Sequence, residues 1–308
     1  MTSNKHILFK IAGLCFFASA MFSSCSYLET TPVKIPSYIY IPKIGFSTSN
    51  NGSVVQGDSS SKFVDVWIYD NGTLLGNIGL PAFIPDQKTG LTELEFDAGI
   101  MKSGQDEDRI PYPFVARVVY PNVKLLPNVV DTFYPDFKYL PQTKFSINEG
   151  FEILGSSLAF SYDTLNNSPG GKILKVKDST NLTPSINLGK YSGEIILQPN
   201  TQFRIISSEF QKEVLEPSLG SPIYLEMDFK SDLQIAIEMW SFDQNGNLNR
   251  IPELVTNPTT AWNKVYVCLD QDVVATNPGT LFQITISVYN NTTVPQNTFL
   301  DNIKLLHF

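Results

Sequence analysis

Side-chain alternation with a period of two runs through almost the whole chain, and proline or Asn-Gly turns close nearly every run. Phe63-Val64-Asp65-Val66-Trp67-Ile68-Tyr69 reads as a strand, and Asp70-Asn71-Gly72-Thr73 as the turn that sends Leu74-Leu75-Gly76 back along it. Asn-Gly supplies the positive φ angles of a two-residue hairpin. Leu91 to Phe96 and Phe114 to Tyr120 read as further strands. Prolines 111, 113, 121, 127, 135 and 141 suit loops and sheet edges and exclude helix interiors. No segment carries an amphipathic helical period over three turns, so the expected fold class is all-β.

The N-terminus has a different grammar. Lys5 and Lys10 precede the apolar and small run from Ile11 to Phe22, which is too short to span a bilayer and has the length of a secretory signal core. The run ends Phe22-Ser23-Ser24-Cys25, a small-small-Cys ending that makes the Cys25 thiol a lipid acceptor. This leader resembles those of Bacteroidetes lipoproteins, with Phe22 where Leu is commonest. The resemblance implies cleavage after residue 24, lipidation of Cys25 and an outer-membrane lipid anchor, with the periplasmic or surface orientation left open. A plain secretory signal cleaved near Ala20 is the alternative. Residues 25–34 read as a tether.

What remains after residue 24 is 284 residues, enough for two domains. The formal charge of −8 becomes −10 once Lys5 and Lys10 leave, which argues against nucleic acid as a partner and against broad contact with anionic lipid. Cys268 is the only cysteine beyond Cys25, so no disulfide forms without the anchor residue. His6 departs with the leader and His307 stands alone, which removes histidine triads and multi-histidine metal centres.

Residues 35–140 read as an immunoglobulin-like β-sandwich without the cysteine pair of antibody domains, with Asp131 to Pro141 as a linker. Residues 145–308 hold eight or more strand-like runs, which suits a β-sandwich jelly roll. Gly150-Phe151-Glu152, Gly171-Lys172-Ile173-Leu174-Lys175-Val176, Ala261-Trp262-Asn263-Lys264-Val265-Tyr266-Val267 and Phe299-Leu300-Asp301-Asn302-Ile303 follow one another in an order that resembles the galactose-binding-like jelly rolls, which include many carbohydrate-binding modules. The resemblance implies a structural Ca²⁺ held by Glu152 and Asp301 with backbone carbonyls, chemistry suited to a hard cation that takes several oxygens. It also implies polysaccharide as a partner. Asp243 to Asn249 fails the calcium-loop spacing and reads as a hairpin turn.

Alternation in three strands separates an apolar from a polar set. Ile223, Leu225, Met227 and Phe229 oppose Tyr224, Glu226 and Asp228; Ile235, Ile237 and Met239 oppose Gln234, Glu238 and Trp240; Ile284, Ile286 and Val288 oppose Gln283, Thr285 and Tyr289. If the three strands are neighbours, Trp240, Glu238, Tyr224, Glu226, Gln283 and Tyr289 form one aromatic-studded polar face able to stack on sugar rings and bond their hydroxyls. Trp67 and Trp262 read as core anchors. Hydrolysis by a carboxylate pair such as Glu226 and Glu238 would need a defined separation, and no active-site motif accompanies them. The sequence therefore predicts a non-enzymatic envelope lipoprotein that binds extracellular glycan. The alternative is an assembly subunit in contact with other envelope proteins.

Overall fold

A computed structural model describes residues 34–49, 55–152, 160–162, 173–177 and 191–308. Cys25, the leader and nearly all of the tether lie outside the described residues. The chain is all-β, with two short helices in the described part. No helix among the described residues is long and apolar enough to cross a membrane.

The N-terminal half contributes β1 (Ser37–Ile41), β2 (Gly45–Ser47), β3 (Asp65–Asp70), β4 (Thr73–Gly79), β5 (Ala82–Asp86), β6 (Gly90–Met101), β7 (Arg109–Pro111), β8 (Val118–Leu125), β9 (Val130–Thr132) and β10 (Asp136–Lys138). One sheet runs β4-β3-β6-β7 with β8 also on β6, a second runs β5-β1-β9, and β2 pairs with β10. The hairpin expected at Asn71-Gly72 is present: Asp70 faces Thr73, and both turn residues have positive φ. Alternation buries Ile39 and Ile41 of β1 against Val66 and Ile68 of β3 and Leu94, Phe96 and Ala98 of β6. Trp67 alternates with Val66 and Ile68, so it lies half-buried on the opposite face and is not a core anchor. Trp262 is buried and meets Phe299 edge-on. The expected linker is structural: β9 runs into it and β10 lies within it, and the Leu140 amide donates to the Phe114 carbonyl.

The C-terminal half contributes β11 (Lys144–Glu149), β12 (Phe160–Tyr162), β13 (Ile173–Lys177), β14 (Tyr191–Leu197), β15 (Gln202–Ser207), β16 (Phe210–Gln211), α1 (Lys212–Leu215), β17 (Tyr224–Ser231), β18 (Ile235–Phe242), β19 (Leu248–Val255), β20 (Thr259–Cys268), α2 (Asp270–Val274), β21 (Leu281–Tyr289) and β22 (Gln296–His307). One sheet runs β13-β14-β22-β17-β20 with β11 on β22; the other runs β12-β15-β21-β18-β19 with β16 on β21. Leu225, Met227 and Phe229 from the first meet Ile235, Ile237, Met239, Ile284 and Ile286 from the second in one apolar core, the two-layer packing expected of a sandwich.

The halves are not beads on a string. Tyr224, Tyr266 and Leu306, on the outer face of the β17-β20-β22 sheet, belong to the same apolar cluster as Phe114, Phe137 and Tyr112 of the N-terminal half. The Ser103 amide donates to the Tyr266 carbonyl, and the Lys62 amide to the Tyr266 hydroxyl at 2.8 Å.

Candidate functional site

The two sheets of the jelly roll have opposite fates. The outer face of β17-β20-β22 carries Glu226, Asp228, Lys264, Asp301 and Lys304, each at most 2% exposed. In a regular strand Asp301 and Lys304 would point to opposite sides. Asp228 pairs with Asp301 and Glu226 with Lys304, so an extra residue is accommodated in β22, where Asn302 has φ of 45°. This bulge brings both side chains onto one face. The N-terminal half seals that face. Tyr112 and Tyr139 hydroxyls donate to Glu226 at 2.6 and 2.9 Å, and the Lys304 ammonium donates to the Asp58 carbonyl at 2.9 Å. The Lys264 ammonium lies 3.0 Å from Glu226 and 3.7 Å from Asp228.

Burial drives the titration of this cluster. It works against ionisation of Glu226, but Lys264, Lys304 and the Tyr112 hydroxyl outweigh it and leave the carboxyl below its ordinary range. Burial, reinforced by Asp228, pushes Asp301 well up. Burial pushes Lys304 down to about 8. Burial thus prevails at Asp301 and Lys304, and neighbouring cations with a hydrogen bond prevail at Glu226.

Among the described residues, the outer face of the other sheet is open. A cleft of about 400 Å³ crosses it, lined among others by Gln202, Arg204, Gln234, Glu238, Ser287 and Tyr289. Arg204 Nε donates to Ser287 Oγ at 3.0 Å, and Tyr289 stands 52% exposed at one end. Trp240 is only 8% exposed. Its indole N–H donates to Glu238 at 2.9 Å, and the Arg250 and Arg204 guanidinium carbons lie 4.6 and 5.2 Å from its ring centre. Cation–π contacts therefore already occupy the ring, and Trp240 orients Glu238 without itself lining the cleft.

The six residues expected on one face are thus divided. Tyr224 and Glu226 lie in the other sheet beneath the N-terminal half, because β17 is not a neighbour of β18 or β21. Trp240, Glu238, Gln283 and Tyr289 share the open sheet, with Trp240 paired to Gln283. Of these, Glu238 and Tyr289 reach the cleft, while the Gln283 amide donates to the Ser207 carbonyl. The same division separates Glu226 from Glu238, so they form no hydrolytic pair. Arg204 and Arg250 are the residues that pattern reading passed over. Arg204 sits between Phe203 and Ile205, and that alternation is the signal that marks its side.

Glu152 and Asp301 do not ligate a common point with a third acid: no group of three His, Cys, Asp or Glu converges among the described residues. Glu152 accepts from the Tyr191 amide at 2.9 Å, and its carbonyl accepts from Lys175. Asp301 Oδ1 accepts from the Asn302 amide, while Oδ2 is buried without a hydrogen-bond partner among the described residues. Asp243 caps its own turn, accepting from the Asn245 and Asn247 amides at 2.8 Å, as a hairpin requires. Cys268 is half-buried beside Asp270, and burial pushes its thiol up to about 11.

The fold defined here is a jelly-roll sandwich fused to a second β-sandwich half. No protein-family model matches the sequence, and no curated protein matches it. Among solved structures, the chain is similar to a carbohydrate-binding module of the β-sandwich superfamily, at 12% identity and a TM-score of 0.39, over 88% of this chain and 97% of that one. It is similar to the CBM22-1 xylan-binding domain of Paenibacillus barcinonensis Xyn10C at 11% identity and a TM-score of 0.36, over 53% of this chain and 94% of that one. A third likeness is to the family 11 carbohydrate-binding module of the Clostridium thermocellum cellulase Lic26A-Cel5E, at 15% identity and a TM-score of 0.32, over 54% of this chain and 95% of that one. Likenesses this distant transfer no ligand and no site residue.

Proposed function

We propose that this protein is an envelope-anchored lipoprotein that binds extracellular glycan, without catalysis, on the open sheet of its jelly roll. One observation carries the reading: the only jelly-roll sheet face left open among the described residues holds a cleft that combines an exposed tyrosine with amide, hydroxyl, carboxylate and guanidinium groups. Tyr289 would stack on the apolar face of a pyranose, and Glu238, Arg204, Gln202 and Gln234 would take its hydroxyls. Such a pocket pairs apolar contact with a few oriented polar groups. Residues 26–308 screened on a glycan array, followed by calorimetry with Tyr289→Ala and Glu238→Gln, tests it. Loss of binding in both variants supports the site. Undiminished binding, or no bound glycan together with co-purification of an envelope protein, would favour the assembly reading.

The same reading includes lipidation of Cys25, tested by the intact mass of the protein from membranes and its detergent partitioning. It also includes a structural Ca²⁺ at Glu152 and Asp301. The orphaned Oδ2 of Asp301, with further carboxylates near it, gives a hard cation a reason to bind there. An unchanged melting temperature between EDTA and millimolar Ca²⁺ would remove the metal.

A further inference from the structure

The sheet β5-β1-β9 has one face in the core and one in water. Ser37, Ile39 and Ile41 are fully buried on the inner face. On the outer face Tyr38 is flanked by Pro85 and Val130, and Tyr40 by Phe83 and Thr132. None of these six positions is charged. Phe83 is 52% and Val130 50% exposed, and Ile35 and Val129 beside them are exposed too. Tyr38 and Phe83 stack on one another at 5.3 Å between centroids, with Tyr40 tilted against the same ring at 6.2 Å. An uncharged aromatic face on the surface of an acidic protein marks a contact surface.

We propose that this face rests on the lipid bilayer, with Tyr38, Tyr40, Phe83 and Val130 in the headgroup layer. The inference rests on the lipid-anchor reading. The central strand β1 is the first element after the tether, and residues 26–36 between Cys25 and that strand reach at most about 40 Å when extended. The anchor would therefore keep this sheet within that distance of the membrane. Tyrosine suits the interfacial layer because its ring is apolar and its hydroxyl wet. Lys34 and Lys43, exposed at either end of β1, are placed to reach phosphates while their stems lie along the apolar surface. A sugar ring is a poorer occupant, because Tyr38 and Phe83 already spend ring faces on each other.

The test uses residues 26–308 held by an N-terminal histidine tag on nickel-chelating vesicles of phosphatidylethanolamine and phosphatidylglycerol doped with brominated phosphatidylcholine. The tag replaces the native lipid, so the face is read whether or not Cys25 is modified, while the intact mass reports the anchor separately. Phe83→Trp and Val130→Trp, both at half-exposed positions, each gain an emission that shifts blue and is quenched on the vesicles. Leu219→Trp, at a site 87% exposed in the jelly-roll half, does not. Equal quenching at all three positions, quenching at none, or a dimer in solution that shields Phe83→Trp without vesicles would overturn the proposal.

Discussion

Replacing Tyr139 by phenylalanine removes one oxygen and almost no volume. That oxygen donates to Glu226 at 2.9 Å and lies 3.1 Å from its second oxygen, in a site that water does not reach. A hydrogen bond to a charged group contributes about 1.5–3 kcal/mol, and deleting a donor from a buried carboxylate forfeits that amount. Tyr112 still donates and Lys264 still pairs, so the loss stays in that range and short of the 3–5 kcal/mol of a broken buried ion pair. At about 2–4 °C per kcal/mol for a unit of this size, Tyr139→Phe lowers Tm by roughly 3–12 °C. Scanning calorimetry of residues 26–308 reads it. Because Tyr139 belongs to one half and Glu226 to the other, and because both halves share one apolar cluster, the wild type and the variant should each unfold in a single transition. Two separate transitions, with only the N-terminal one moved, or a loss under about 0.5 kcal/mol, would refute the claim that this cluster joins the halves.

Trp240→Ala should cost about 3–5 kcal/mol as a large buried ring is emptied, whereas Tyr289→Ala, at an exposed position, should leave Tm nearly unchanged; urea unfolding of the two variants separates them. Asp301→Asn should stabilise the metal-free protein at pH 8 and have little effect at pH 4. The folded pKa of Asp301 lies well above 3.8, so the native state holds a proton that the unfolded state has lost, and its stability falls as pH rises through that window; a stability–pH profile checks the sign. If Ca²⁺ is bound there, the same substitution lowers Tm in millimolar Ca²⁺. Residues 145–308 expressed alone should aggregate or bind a hydrophobic dye, since Tyr224, Tyr266 and Leu306 of the sealed face would meet water; a monodisperse, dye-free fragment would count against the shared core.

Alternation and turn chemistry are local, and they were sufficient for the all-β class, the Asn71-Gly72 hairpin, the Asp243 turn and the apolar inner faces of β17, β18 and β21. Each of these depends on neighbours within a few residues. The leader and the lipidation of Cys25 are expectations that rest on the sequence alone. Which sheet a strand joins is not local: Tyr224 and Glu226 have the same alternation as Glu238 and Trp240, yet partner choice puts them on the far side of the sandwich. The side of Asp301 depends on a bulge at Asn302 that period-two counting does not contain. Trp240 reads as an exposed platform until Arg204 and Arg250, distant in sequence, are laid against it. Pattern determines which face of a strand is apolar. Only the tertiary structure decides whether its polar face meets water, because that depends on what covers it, and here the N-terminal half covers one polar sheet and leaves the other open.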